Sequence, residues 1–157
     1  MGAGIAFLPS CVYKQDKLSI QLNKIQIKPD QEKFLFTLAN IIIPKTDTPG
    51  AGDLGAHLFA LKMADDCFEQ PQQQKFIAGL NALQKLAGEK QGKELEELAV
   101  AKDKADPDIE AFLHDFKRLV TRGYTQSEYV MTKLLPYKLV PGKYKACIPV
   151  AEQTQKS

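Results

Sequence analysis

The side chains here that could do chemistry are few, and their spacing limits what they can do. The only histidines are His57 and His114. No His-x-x-x-His or His-Glu-x-x-His pattern includes them, so a metal centre would have to recruit ligands from distant parts of the fold. Asp65-Asp66 with Glu69 has the composition of paired carboxylates for acid–base work, but two aspartates near a helix end read first as solvated surface. Asp103, Asp106 and Asp108 lack the central glycine and closing glutamate of a calcium loop. They read as charges that complement the start of a helix. Gly50-Ala-Gly52-Asp-Leu-Gly55 fits G-x-G-x-x-G, which grips a pyrophosphate only where a strand ends at the first glycine and a helix starts there. The preceding apolar run, Phe34 to Ile43, has helical spacing, and Pro44 and Pro49 stand before Gly50. The glycines read as a tight turn leading into a helix. No catalytic, cofactor-binding or metal-binding set emerges. One enzymatic combination stays open, Asp47 with His57 and a nearby carboxylate, and it needs a cleft that joins them.

The elements that must position these groups are helical. Leu18, Ile20, Leu22, Ile25 and Ile27 alternate with polar residues, which suits an extended segment or a linker that sticks to the body. Pro29-Asp30 opens a first helix carrying Phe34, Leu35, Leu38, Ile41 and Ile42, and Pro44 stops it. After a loop from Asp47 to Gly55, with Asp53 as the expected cap, a second helix directs Leu54, Leu58, Leu61 and Met63 inward. Pro71 starts a third, with Phe76, Ile77, Leu80, Leu83 and Leu86 at 3–4 spacing. Gly88 and Gly92 bracket a polar break, and a weaker helix runs from about Lys93 to Lys104. Asp106-Pro107 is the clearest start signal. It leads into the stripe Ile109, Phe112, Leu113, Phe116, Leu119 and Val120, with Gly123 as the expected stop. Ser127 caps a last short helix with Val130, Met131, Leu134 and Leu135. The expected fold is all-α: one compact domain of about six helices with an irregular Pro/Tyr-rich C-terminal arm.

At 157 residues the chain suits one domain, and its 44% apolar and 25% charged residues are ordinary for a globular protein. The net charge of +2 is spread along the length, and Arg118 and Arg122 are the only arginines. That argues against nucleic acid, whose partners concentrate basic residues into a patch. Met1 to Ser10 is apolar and small but too short to span a membrane. With Leu8-Pro-Ser-Cys11 it reads as a lipoprotein-like site with Cys11 as the lipidation candidate, as an ordinary signal remnant, or as a plain tail. Cys67 and Cys147 are then free and packed as small apolar residues, paired together, or bonded to another chain.

Two stretches carry more information than the rest. Ile41-Ile-Ile-Pro-Lys-Thr-Asp-Thr-Pro-Gly-Ala51 holds a turn in which Asp47 and Thr48 can fold back onto nearby amides. Gly123-Tyr-Thr-Gln-Ser-Glu128 runs on to Leu139-Val-Pro-Gly-Lys-Tyr-Lys-Ala-Cys-Ile-Pro149. Tyr124, Tyr129, Tyr137 and Tyr144 are four of the five tyrosines. Tyrosine offers large contact area with few rotors to freeze, which suits a partner surface. Together the two stretches resemble the gluconate 2-dehydrogenase subunit 3 family, over roughly Phe34 to Val150.

That resemblance implies a non-catalytic small subunit that binds, stabilises and assists export of an FAD-dependent sugar or sugar-acid dehydrogenase of the glucose–methanol–choline type. FAD would lie in that partner and haem c in a multihaem cytochrome acceptor, with no cofactor in this chain. The implied compartment is the periplasm or the envelope facing it, with membrane association indirect or through Cys11. Family members commonly carry a twin-arginine export signal, and none stands here, which implies a longer precursor or a different start. Residues 1–28 would be tail and linker, 29–150 the helical domain and 151–157 a C-terminal tail. The expected partner surface is Pro44, Asp47, Thr48, Pro49 and Gly50 with Tyr124, Tyr129, Tyr137, Pro141, Gly142, Tyr144 and Cys147, the last able to reach a partner cysteine. The alternative is an autonomous lipid-anchored helical envelope protein with another partner.

Overall fold

The computed structural model describes residues 17–88 and 106–135, together with Glu97, Gly142 and Cys147. Among these residues the chain forms α1 (Pro29–Ile42), α2 (Ala56–Cys67), α3 (Gln70–Ala87) and α4 (Pro107–Thr125), then a π-helical turn, Val130–Leu134, and no strand. The expected all-α architecture is thus present. The weak helix expected from about Lys93 to Lys104 lies outside the described residues, apart from Glu97.

The central element is α4, which packs against both α3 and α2. Its start follows the sequence signal: the Asp106 carboxylate accepts the Asp108 N–H at 2.9 Å, with Pro107 in the first turn. Ile109, Phe112, Leu113, Phe116, Leu119 and Val120 are all buried. Phe112 stacks on Phe116 at 5.5 Å between ring centroids and meets the edge of Phe76 from α3 at 4.9 Å. Gly79 lets α3 come this close. A Cβ there would overlap the Asp108 carbonyl oxygen and lie 2.5 Å from Phe112 Cβ. Gly79→Ala should therefore lower stability by about 2 kcal/mol, the overlap outweighing the ~1 kcal/mol gained in helix propensity. Urea denaturation of the variant checks this; a gain in stability would mean that the two helices separate at little cost.

Several boundaries and faces differ from expectation. Gly123 does not end α4, which continues to Thr125. Its missing side chain serves packing instead, because a Cβ would stand 2.8 Å from the Phe59 ring of α2. Asp53 does not cap α2. Gly55 holds that position in the left-handed region, with φ of 71°. Of the residues expected inward on α2, Leu61 is buried, whereas Leu54, Leu58 and Met63 are only half-buried, and the rest of the inward face is Ala56, His57, Ala60, Ala64 and Asp65. Small alanines allow α2 to approach α4 closely. Leu86 faces solvent, as do Leu134 and Leu135, while Val130 anchors the π-helical turn.

The largest departure is Asp65. Its side chain is fully buried and accepts the backbone N–H groups of Asn23 at 2.8 Å, Lys24 at 2.6 Å and Ile25 at 2.8 Å. Residues 17–28 form an extended strap held by this carboxylate, with Ile25 and Ile27 in the core and Leu18, Ile20 and Leu22 packed against it. A second tie runs from the Ser19 N–H to the Glu32 carboxylate at 2.8 Å. The Gln73 amide closes the other side by donating to the carbonyls of Ala64 and Asp65 at 3.2 and 2.8 Å. The expectation of a solvated aspartate pair holds for exposed Asp66 and fails for Asp65.

Candidate partner-binding surface

The loop between α1 and α2 is built from its glycines outward. Asn40, near the end of α1, accepts the Gly52 N–H on Oδ1 at 2.7 Å, and Asp53 accepts the Gly50 N–H at 3.2 Å. A Cβ at Gly50 would overlap Asn40 Oδ1. One at Gly52 would lie 2.7 Å from the Phe36 carbonyl oxygen. The glycines are thus required by contact with α1. The Gly50 and Gly52 amides are already bonded to this chain's own side chains, and the loop follows a helix, not a strand, so it does not have the open amide cradle of a dinucleotide fingerprint. Ala51 N–H donates to the Ile43 carbonyl at 3.0 Å and fastens the loop to the helix it leaves.

Pro44 and Asp47 are exposed, Thr48 and Pro49 are half-buried, and Gly50 is buried. The tip is closed through the backbone, by Thr46 N–H donating to the Thr48 carbonyl at 3.0 Å. The expected back-folding of the Thr48 side chain does not occur. Its hydroxyl instead meets the Tyr124 hydroxyl at 3.2 Å, across 76 positions of sequence. The loop of the first stretch and the Gly123–Glu128 part of the second therefore meet in one seam. Tyr124 also packs against the core, and Ser127 hydrogen-bonds its carbonyl at 2.7 Å, holding the chain as it turns into the π-helical segment. Tyr129 is half-buried, and further along the chain Leu134 and Leu135 present exposed apolar surface, each 48% accessible.

Of the remaining expected surface residues, Gly142 and Cys147 are exposed, whereas Tyr137, Pro141 and Tyr144 lie outside the described residues, as does Cys11. Cys67 and Cys147 are both exposed and unbonded, so neither is packed as a small apolar core residue and they do not pair with each other. Sequence reasoning missed Asn40. Its signal was a lone amide inside the apolar run Leu38 to Ile43.

The histidines divide sharply. The His114 side chain is exposed beside Asp115. His57 is only 6% exposed, meets the Phe36 ring edge-on at 5.4 Å, and has no hydrogen-bond partner for Nδ1. Burial pulls its pKa below the ordinary 6.5, partly opposed by the Glu32 carboxylate. It lines an open cleft of about 450 Å³ with Glu32, Lys33, Phe36, Asp53 and Leu58. Asp47 does not line this cleft, so the structure does not assemble the Asp47–His57 combination. Among the described residues no three His, Cys, Asp or Glu side chains gather closely enough to hold a metal ion. No described helix is long and apolar enough to cross a membrane.

The family model described as gluconate 2-dehydrogenase subunit 3 matches residues 29–142. No curated protein and no solved structure is significantly similar to the chain.

Proposed function

The chain belongs to the gluconate 2-dehydrogenase subunit 3 family, and from that premise we propose that it is the non-catalytic small subunit that binds and stabilises an FAD-dependent sugar or sugar-acid dehydrogenase and accompanies its export to the periplasm. The flavin belongs to the large subunit and haem c to the electron acceptor. In this reading the chain contributes surface, not chemistry.

The observation that carries the reading is the seam. Two family-matched segments far apart in sequence, the Ile41–Ala51 loop and the Gly123–Glu128 turn, converge at the Thr48–Tyr124 contact. They bring Pro44, Asp47 and Pro49 beside one edge of α4, from which the chain continues to exposed Leu134 and Leu135. A rigid polar and aromatic centre followed by exposed leucines is the composition of a docking patch.

Thr48→Val and Tyr124→Phe test it. Each removes one hydroxyl from a half-buried pair, so folding should weaken by no more than about 1 kcal/mol. Capture of the dehydrogenase large subunit by the purified full-length chain should fall several-fold in both. Undiminished capture by both variants would remove the seam from the interface.

A further inference from the structure

We propose that the cleft lined by His57 receives the guanidinium of an arginine presented by the partner polypeptide. The cleft has the three elements such a group needs. The first is charge: Glu32 and Asp53 bring two carboxylates against the single ammonium of Lys33, and that ammonium rides on an exposed residue at the end of a flexible stem. Each carboxylate uses one oxygen internally, Glu32 Oε2 on the Ser19 N–H and Asp53 Oδ2 on the Gly50 N–H, which leaves the second oxygen of each to accept from a ligand. The second is a surface to stack on: Phe36 is 39% exposed although it sits on the helix that carries Glu32, and a guanidinium binds well over an aromatic face. The third is the buried imidazole with its unpartnered Nδ1. An orphaned buried polar atom is uncommon in a folded protein, and no hydrogen bond within the chain ties down the imidazole that lines the cleft. Burial keeps His57 neutral at physiological pH, so it does not repel a cation. A metal ion is the poorer occupant, because the His, Asp and Glu side chains do not converge on a common centre.

That the arginine comes from the dehydrogenase rests on the accessory-subunit reading; the chemistry of the cleft does not. The full-length chain is titrated with N-acetyl-argininamide while the His57 imidazole signals are followed by NMR, with N-acetyl-glutaminamide as the neutral control. The combined Glu32→Gln and Asp53→Asn variant is the charge control. It keeps a carbonyl oxygen for the Ser19 and Gly50 amides and should remain folded. The expected result is a saturable shift with the arginine probe in the parent, at least five-fold weaker in the charge variant and at least five-fold weaker for the neutral probe. No saturable shift, equal response to both probes, or an unchanged affinity in the charge variant overturns the proposal. The same variant is then assayed for capture of the large subunit. Loss of capture places the partner's arginine here, and unchanged capture with the seam intact overturns that placement. Capture of no flavoprotein by the parent chain overturns the accessory reading instead, with the probe titration still deciding the cleft.

Discussion

Asp65→Asn will release the N-terminal strap and lower stability by about 2–4 kcal/mol, a large part of the total for a domain of this size. The carboxylate is fully buried and accepts three backbone N–H groups, from Asn23, Lys24 and Ile25. Asparagine can accept on one oxygen only. Its NH₂ would point donor to donor at the Asn23 amide, and the negative charge that strengthens all three bonds would be gone. The pH profile separates this from a generic packing defect. Burial alone would raise the pKa of Asp65; the three amides, with Lys62 at 3.6 Å, outweigh it and hold the pKa at about 2 against an ordinary 3.8. The folded state therefore binds that proton less tightly than the unfolded chain. The contribution is complete above pH 3.8 and is lost as pH falls through that value toward about 2. His57 adds an earlier stage with the same sign, because its folded pKa is depressed below 6.5 and stability declines once the unfolded chain begins to bind protons there. Urea midpoints measured down to acid pH should show both stages in the parent and only the upper one in Asp65→Asn. A variant as stable as the parent at neutral pH would contradict this account of the strap.

Phe112→Ala carries the largest expected packing loss, about 3–5 kcal/mol. Phe112 sits where α3 crosses α4, 1% exposed, between Phe76 and Phe116. Its neighbours Gly79 and Asp108 are backbone-close, so the helices cannot move in from that side to fill the space. Phe112→Leu keeps most of the volume and should cost about 1–2 kcal/mol. Leu86→Ala on the exposed face of α3 should fall within about 0.5 kcal/mol of the parent. Thermal unfolding of the three variants checks the order. A loss in Leu86→Ala comparable to that in Phe112→Ala would show that the exposed face is covered in solution.

The helices were legible because local signals and burial agree in them. Asp106-Pro107 marks the start of α4, and the stripe from Ile109 to Val120 is buried throughout. Asp65 was not legible. Its partners are main-chain amides some 40 residues away, and no residue type records where a backbone N–H will lie. Gly123 misled for a related reason: glycine is both a helix stop and a spacer, and only the Phe59 ring of another helix decides between them. The face of α2 was misjudged because three alanines, a histidine and an aspartate, with Leu61 as the one expected leucine, make up its buried side. As for the candidate surface, residue types suggested both of its halves. Their convergence through Thr48 and Tyr124 depends on how α2 and α4 pack, which no local pattern contains.

Isolation of the tagged full-length chain from cells that make its native partners, with mass spectrometry and an absorption spectrum, tests the central claim most directly. The account predicts a co-purifying dehydrogenase large subunit, stoichiometric with the chain, and a flavin absorption band. A colourless chain recovered alone, or with unrelated envelope proteins, would contradict it.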